Sequence, residues 1–171
     1  DALAKSQVGA WRYDVIEPGF KCNMTDIMSA IGLVELERYN GDVLPRRKSI
    51  CEMYATGLSK YSWAQIPVFK NGGTESCYHL FPLRIKNVSE SQRDAIIQKI
   101  FEKGVSVNVH FIPLAMLSVY KQLGYDIKNY PVTYDNYSRE ITLPVHLLLT
   151  DDNVQTVINA VADSVESVIN K

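Results

Sequence analysis

The sequence predicts a small α/β protein, a two-layer sandwich in which helices pack on a mostly antiparallel sheet. Three observations lead to this fold class. A closing helix carries one long apolar stripe, a central segment alternates between apolar and polar residues as a half-buried strand does, and helical and strand-like segments are interspersed along the chain. With 171 residues, of which 46% are hydrophobic, the chain is long enough for one domain with a substantial core.

The first helix is predicted to begin after Thr25, a residue type that caps helix N-termini. Ile27, Ile31 and Val34 follow it at helical spacing. Residues 11–15 alternate between aromatic or apolar and charged residues, which predicts a short extended segment before this helix.

A second helix is predicted from about Asp42 to near Lys60, after the helical pattern weakens at residues 40–41. Pro45 is compatible with this helix because it lies in the first turn. Gly32, within the first helix, costs about 1 kcal/mol relative to alanine. Either a backbone packs closely against it or the helix simply tolerates the cost.

Two strand-like segments, residues 64–69 and 77–85, are predicted next, with a turn at residues 71–73 between them. Pro67 and Pro82 would each remove a hydrogen-bond donor from a sheet ladder. The two prolines therefore favour edge or irregular strands.

The third predicted helix begins at a capping-box pair, Ser89 and Gln92, and Gly104 lies where a C-terminal glycine belongs. The half-buried strand follows, with apolar residues on one face and polar residues on the other. The apolar face comprises Val105, Val107, Val109 and Phe111, and the polar face comprises Ser106, Asn108 and His110.

The last part of the chain is predicted to hold one or two helical turns within residues 130–139, a short extended segment at 141–146, and a long final helix. Thr150 caps this helix, and Asp151 and Asp152 suit the dipole of its first turn. Its apolar stripe must pack on a sheet or on another helix. The stripe comprises Val154, Val157, Ile158, Val161, Val165, Val168 and Ile169.

Charge and composition exclude several classes of partner. The net charge is −1 and no basic run is longer than residues 46–48, so neither nucleic acid nor an acidic membrane surface is expected as a partner. No apolar run approaches the length of a membrane span and no signal-peptide pattern occurs, so a cytoplasmic protein is expected. The three cysteines, Cys22, Cys51 and Cys77, lack metal-site spacing and are predicted to be free buried thiols.

The approach to the first helix is a candidate anion site. Lys21 offers a positive charge and Asn23 an amide beside the free N–H groups of a helix N-terminus, which together suit an anion. An ordinary capped helix explains the same residues, because Asp26 in the first turn suits the helix dipole without any ligand.

The three histidines have no partners at catalytic or metal-binding spacing, and no catalytic residue and no metal site are predicted. His79 alternates with apolar residues and is predicted to be packed. His110 shares its strand face with Asn108 and Ser106, so that face is either exposed to solvent or the wall of a cleft. His146 ends a strand-like segment and is expected at the surface.

Six segments resemble, in the same order, successive segments of the DegT/DnrJ-type sugar aminotransferases, which are pyridoxal-phosphate (PLP) enzymes of the aspartate-aminotransferase fold type. The first, GFKCNMTDIMSAIGL at residues 19–33, is similar to forms such as GYKYNMTDIQAAIGL. The other five are RRKSICEMY at 46–54, CYHLFPLRI at 77–85, GVSVNVHFIPL at 104–114, QLGY at 122–125 and EITLPVHLLLTDDNV at 140–154.

The resemblance implies a fold, a reaction and an assembly. The sandwich would be the C-terminal domain of a fold-type-I PLP enzyme, formed by residues 41–171, while residues 1–40 would pack on the PLP domain and a dimer partner. The parent enzyme would transfer an amino group from a donor such as glutamate to a keto group of a nucleotide-linked sugar, as a homodimer. By the same resemblance, Lys21 and Asn23 approach the PLP phosphate of the partner subunit, and His110 lies near the sugar-nucleotide cleft.

The chain departs from the family pattern at two positions and lacks one essential group. Cys22 replaces a usual tyrosine, and Ala115 stands where many members have a histidine after the IPL sequence. None of the lysines has a setting similar to that of the Schiff-base lysine, which in the family precedes this stretch. The chain begins at Asp1, and we expect it to be part of a longer product that binds PLP. The chain alone is expected to bind no PLP and to be inactive. The alternative is a non-catalytic α/β ligand- or partner-binding module of shared ancestry.

Overall fold

A three-stranded antiparallel sheet forms the centre of the fold in the computed structural model, which describes residues 3–5, 11–20 and 22–170. Its strands are β3 (Ala64–Gln65), β6 (Phe81–Ile85) and β7 (Glu140–Leu143), in the order β3-β6-β7. Two hairpins accompany it: β1 (Leu3–Lys5) with β2 (Tyr13–Val15), and β4 (Lys70–Asn71) with β5 (Thr74–Glu75). The helices are α1 (Asp26–Arg38), α2 (Leu44–Leu58), α3 (Glu90–Glu102), α4 (Ser118–Gln122), α5 (Pro131–Arg139) and α6 (Asp151–Ile169).

Helix α6 contacts both α2 and α3, and the three helices share one hydrophobic core with the sheet. The register of β6 and β7 runs from Phe81 opposite Leu143 to Arg84 opposite Glu140. All four residues of β7 are buried, so this strand lies inside the sandwich rather than on a solvent-facing side. The predicted α/β class with an antiparallel sheet is therefore confirmed.

Helix α6 has the features that its sequence predicts. Thr150 Oγ1 accepts a hydrogen bond from the N–H of Asn153, and the Asn153 side chain accepts from the N–H of Thr150, which completes a capping box. The predicted stripe faces the core, with Val161 and Val165 fully buried. The capping box at Ser89 and the C-terminal glycine of α3 are confirmed as well.

Pro82 lies in the middle of the sheet although prolines favour edge strands. Strand β3 pairs only with Arg84 and Ile85, so no described strand lies beside Pro82 on that side. The missing donor of Pro82 is tolerated because this part of β6 is locally an edge.

The predicted strand at residues 105–111 is only partly formed. The segment joins the sheet through one pair, in which the N–H of Asn108 donates to the carbonyl of Thr142 (3.1 Å) and the N–H of Thr142 donates back (2.7 Å). The predicted alternation holds as far as Val109, but Phe111 is exposed because the chain bends at His110. The prediction that Phe111 lies on the buried face is wrong.

A π-helical turn, Tyr39–Val43, connects α1 to α2 where the sequence predicts an interruption. Thr25 caps α1 as predicted, its Oγ1 accepting a hydrogen bond from the N–H of Met28. No side chain of α1 is buried within the described part of the chain. Ile27, Ile31 and Val34, the predicted apolar face, are 77%, 59% and 55% exposed.

Residues 11–15 pack against the α/β core. The Asp14 carboxylate accepts hydrogen bonds from the backbone N–H (2.8 Å) and the hydroxyl of Ser118 at the start of α4. Arg12 forms ion pairs with Glu90 and Asp94 on α3, and Trp11 contacts the core. The hairpin that contains these residues is therefore anchored at one end of the domain.

Arg93 is a fully buried arginine that joins three elements. Its Nη1 donates to the carbonyls of Tyr137 (2.6 Å) and Glu140 (3.0 Å), and its guanidinium lies over the rings of Trp11 and Tyr137. Because buried charges are tolerated only when they are paired and hydrogen-bonded, this arrangement fixes the junction between α5 and β7 against α3.

None of the helices within the described ranges has the length and apolar character needed to cross a membrane.

Candidate functional site

A cleft of about 550 Å³ opens where the extended segment at residues 106–110 meets β7. It lies at the end of the sheet, and Trp11 borders it as well. The polar faces of two segments line it, and His110 is the residue of the predicted site that the structure locates there. The lining residues are Trp11, His79, Leu80, Ser106, Val107, Asn108, His110, Thr142, Leu143, Pro144 and Val145.

The alternative left open for the polar face of residues 106–110 is therefore decided in favour of a cleft wall. His110 is half-buried, and its Nδ1 lies 2.9 Å from the Oγ1 of Thr142. The backbone N–H of His110 donates to the Oε2 of Glu140 (3.0 Å). The Phe111 ring stands edge-on to the imidazole, with ring centroids 4.5 Å apart. The imidazole is thus held in place by contacts on both its backbone and its side chain.

Glu140 lies behind His110 and is a site residue that sequence reasoning did not identify. It is 5% exposed, and its Oε1 accepts a hydrogen bond from the Thr142 hydroxyl. Burial raises the pKa of the Glu140 carboxyl from its ordinary 4.5 to about 7, against the opposing effects of the hydrogen bonds from Thr142 and His110 and of the Arg93 charge. The sequence feature that could have identified Glu140 is an acidic residue directly before the short extended segment at 141–146.

The environment of His110 favours its neutral form. Burial lowers the pKa of the His110 imidazole, and the nearby His79 lowers it further. A neutral imidazole has one nitrogen that donates and one that accepts a hydrogen bond, so it can bind either kind of ligand group. The cleft therefore offers an adaptable hydrogen-bonding residue and not a fixed positive charge.

The prediction that His79 is packed is wrong. Tyr78 adopts a left-handed backbone conformation, with φ of 53°, and its ring is buried. This conformation interrupts the alternation that the sequence suggests, so that His79 is exposed at the cleft. A left-handed tyrosine is uncommon and leaves no signature in the residue pattern.

Neither of the two residues predicted for a phosphate site is found at the cleft in the described part of the chain. Lys21 is outside the residues that the structure describes. Asn23 is exposed ahead of α1 and is not among the residues that line the cleft. The N-terminal N–H groups of Asp26 and Ile27 have no hydrogen-bond partner within the described part of the chain, so this end of α1 can accept an anion.

The cysteines are free, as predicted, but only Cys51 is buried; Cys22 and Cys77 are exposed. Burial raises the pKa of the Cys51 thiol to about 12, so it is a packed thiol and not a nucleophile. Within residues 3–5, 11–20 and 22–170, no group of His, Cys, Asp and Glu side chains has the arrangement of a metal site.

Ala115 lines a second, more apolar cavity of about 340 Å³. Three tyrosines, Tyr120, Tyr125 and Tyr130, form much of its wall. Ala115, at the position where the resemblance predicts a histidine, thus faces an aromatic cavity, and the polar cleft at His110 is formed by other residues.

Comparison with known proteins gives the family. The model of the DegT/DnrJ/EryC1/StrS aminotransferase family matches residues 3–162. The spore coat polysaccharide biosynthesis protein SpsC of Bacillus subtilis is 33% identical over 164 residues, which cover 94% of this chain and 42% of SpsC. An uncharacterized protein of Methanocaldococcus jannaschii, MJ1066, is 34% identical over 160 residues. The chain spans about two fifths of the length of these relatives.

Solved structures agree with the sequence comparison. The apo-form of Spr1654 from Streptococcus pneumoniae, assigned as a sugar aminotransferase, is similar with a TM-score of 0.82 and 40% identity, over 99% of this chain and 42% of that one. The aminotransferase PseC of Helicobacter pylori, at 22% identity and a TM-score of 0.73, shares the fold. The six ordered segments, the α/β fold and the match over residues 3–162 together establish that the chain belongs to the DegT/DnrJ/EryC1/StrS aminotransferase family.

Proposed function

We propose that this chain forms the C-terminal part of a PLP-dependent aminotransferase that acts on a keto group of a nucleotide-linked sugar. The observation that carries the proposal is the family match over residues 3–162, because it includes α1 and both hairpins as well as the domain. Two relatives support the chemistry. SpsC acts in spore coat polysaccharide biosynthesis, and Spr1654 has been solved in PLP and PMP forms.

In this proposal residues 41–171 are the small domain, and residues 1–40 pack on the PLP domain and on the second subunit of a homodimer. The exposure of α1 supports this division. Its apolar residues surround the helix and do not form a single stripe, and a helix that is apolar all round is typical of a buried element. The exposed set comprises Ile27, Met28, Ile31, Leu33, Val34 and Leu36.

His110 would bind the substrate in the polar cleft. Its Nε2 has no hydrogen-bond partner among the described residues, while its Nδ1 is engaged by Thr142. Sugar hydroxyls can donate or accept hydrogen bonds, and diphosphate oxygens can accept them, so either group suits a neutral imidazole. Asn108 and Ser106 add exposed polar groups on the same wall.

Lys21 and Asn23 would reach the PLP phosphate of the partner subunit, next to the free N–H groups at the start of α1. The exposed amide of Asn23 fits a phosphate site that is completed elsewhere, whereas Asp26 in the same turn opposes an anion held by this segment alone. When bound, PLP supplies the electron sink for amino transfer. The chain's own part is to hold the phosphate and orient the sugar, so it does not transaminate by itself.

The test is complementation with the rest of the enzyme. The chain is combined with the lysine-bearing PLP domain expected upstream in the same reading frame, and transfer of the amino group from glutamate to a set of keto-sugar nucleotides is followed as 2-oxoglutarate formed. We expect activity only in the mixture or in the joined protein. His110→Ala should lower kcat/KM about 10- to 100-fold, since a buried hydrogen bond to substrate is lost.

A matched control is Asn159→Ala, on the exposed side of α6, which should leave the activity unchanged. An upstream reading frame without a PLP domain, or a joined protein that binds PLP without any amino transfer, would contradict the proposal. Such a result would favour the non-catalytic ligand- or partner-binding module.

A further inference from the structure

Three side chains from two segments form a continuous hydrogen-bonded chain at the back of the cleft. The carboxyl of Glu140 contacts the hydroxyl of Thr142, and that hydroxyl lies 2.9 Å from the Nδ1 of His110. Glu140 and Thr142 are two residues apart on β7 and therefore share one side of the strand. The Nε2 of His110 is the free end of this series of hydrogen bonds, because the described residues provide no hydrogen-bond partner for it.

The Thr142 hydroxyl has a single proton, so it can donate to only one of its two neighbours. When Glu140 is ionised, the hydroxyl must donate to the carboxylate, and its oxygen then accepts a hydrogen bond from Nδ1–H of His110. The neutral imidazole must in that case present an unprotonated Nε2 to the cleft.

When Glu140 is protonated, both hydrogen bonds reverse. The carboxylic acid donates to the Thr142 oxygen, the Thr142 hydroxyl donates to Nδ1, and the imidazole proton moves to Nε2. We propose that Glu140, acting through Thr142, sets the tautomer of His110 and thereby determines whether this residue donates or accepts a hydrogen bond in the cleft. Glu140 is a positioning residue in this arrangement, since it does not line the cleft itself.

The groups around the chain of hydrogen bonds allow both states. Arg93 on α3 bonds to the Glu140 carbonyl, and its charge opposes protonation of the carboxyl, while burial of Glu140 favours protonation. On β6, Arg84 lies opposite Glu140 in the register, and its guanidinium is engaged by the Asn136 side chain on α5. On the cleft side, His79 disfavours a positive charge on His110. Glu140 is buried and His110 is half-buried, and burial disfavours charged forms. A protonated Glu140 beside a neutral His110 is therefore favoured over a Glu140 carboxylate beside a His110 imidazolium.

The tautomer of His110 restricts the ligand groups that can bind to Nε2. Phosphate oxygens accept hydrogen bonds but cannot donate them, so they need Nε2–H and hence the protonated form of Glu140. A hydroxyl can use either tautomer. The nature of this ligand rests on the proposed function, whereas the coupling between Glu140 and His110 does not depend on it.

The coupling can be measured on the 171-residue chain without substrate or cofactor. Long-range ¹H–¹⁵N correlation spectra distinguish protonated from unprotonated ring nitrogens, and the chain has only three histidines. Between about pH 8.5 and about pH 5.5 we expect the proton of His110 to move from Nδ1 to Nε2 before the imidazolium forms. His146, which is exposed and lies outside the cleft, is the internal control.

Two variants make the test specific. In Glu140→Gln, the amide can accept from the His110 backbone N–H and donate to Thr142, so His110 should carry its proton on Nε2 at every pH above its own titration. Thr142→Val keeps the shape of a β-branched residue and removes the hydroxyl, so the tautomer of His110 should no longer follow pH. Retained dispersion of the other histidine signals checks that each variant is folded.

A wild-type His110 that keeps one tautomer over the whole range would overturn the inference, and so would a Glu140→Gln variant whose His110 behaves as in the wild type. Neither result bears on amino transfer by the joined enzyme. Failure of the complementation experiment would in turn leave the spectra of this chain unaffected. The inference and the proposed function can therefore fail separately.

Discussion

Helices α1 and α6 begin in the same way and end in opposite environments. Each starts after a threonine N-cap, Thr25 or Thr150, and each carries apolar residues at helical spacing. Helix α6 buries eight residues, whereas α1 buries none against the described chain. An apolar pattern therefore indicates that a helix needs a partner, but it does not indicate whether the same chain provides that partner.

The largest expected difference between the two helices comes from the same substitution made in each. Ile158 is 4% exposed and packs between α2 and the core, so Ile158→Ala should lower the free energy of unfolding by about 2–5 kcal/mol. Ile31→Ala in α1 removes no packed contact of the described chain and should change it by less than about 0.5 kcal/mol. Urea denaturation measures both values.

Equal losses in the two variants would mean that α1 is packed in solution, for example against a second copy of the chain. Light scattering distinguishes that case, because Ile31→Asp would then shift the chain towards the monomer. A loss at Ile158 alone would confirm that the domain is stabilised without α1.

Buried and exposed glutamates extend the comparison to pH. The pKa of Glu140 is about 7 in the folded chain and near 4.5 when unfolded, so between these values the folded state binds more protons. Its contribution to the free energy of unfolding is therefore present at low pH and is lost as the pH rises through about 7. Glu140→Gln should remove this loss, which amounts to roughly 3 kcal/mol.

The matched control is Glu35→Gln in α1, where the carboxylate is exposed and pairs with Arg38 on the surface. Such pairs contribute little, so this variant should follow the wild-type dependence on pH. Wild type and Glu140→Gln with parallel curves of unfolding free energy between about pH 4.5 and 8 would show that folding does not raise the pKa of the Glu140 carboxyl.

The extent to which the sequence predicts the fold depends on the range of the interactions involved. The caps at Thr25, Ser89 and Thr150 are correct because a cap depends on residues three positions apart. Strand predictions are less complete, since pairing depends on distant segments: β3 contains two residues of the six predicted. Phe111 and His79 were misassigned because a bend and a left-handed tyrosine interrupt the alternation.

The residues of the candidate site differ in the same way: those marked by a local sequence pattern could be predicted, and those that depend on distant contacts could not. His110 was identifiable from its polar strand face and from the family resemblance, and the structure adds that this face is a cleft wall. Glu140 was missed because its importance arises from burial and from its contact with His110, which is 30 positions away in the sequence. Asn23 and Lys21 remain predictions, since the residues that would complete their site are not in the described chain.

Glycines in the first two helices give the next smaller difference. A Cβ atom on Gly57 would lie 2.7 Å from the Cδ1 of Ile158, so Gly57→Ala should cost about 1–3 kcal/mol through overpacking between α2 and α6. Apart from the adjacent residues and the backbone of α1 itself, no described atom lies within 4 Å of the corresponding position on Gly32. Of the two explanations for Gly32, the tolerated cost therefore holds within this chain.

Gly32→Ala should accordingly increase the helical circular dichroism signal slightly, because alanine favours the helix by about 1 kcal/mol, without lowering stability. In the joined enzyme the same variant tests the proposed packing of α1. Weakened dimerisation there, with a normal isolated chain, would mean that Gly32 permits a close contact with a partner.

The smallest expected difference concerns the two caps. Thr150→Ala removes the acceptor for the N–H of Asn153 at the start of the helix that closes the core, and it should lower the free energy of unfolding by about 1 kcal/mol. Thr25→Ala removes the same kind of bond from α1, where the distance from Oγ1 to the N–H of Met28 is a longer 3.4 Å. Because α1 makes no buried contact in the described chain, its fraying is not coupled to unfolding of the domain, and urea denaturation should give an unchanged midpoint. Hydrogen exchange should instead show faster exchange confined to the first turn of α1. A lowered midpoint for Thr25→Ala would contradict the independence of α1 and would require a contact between that helix and the domain.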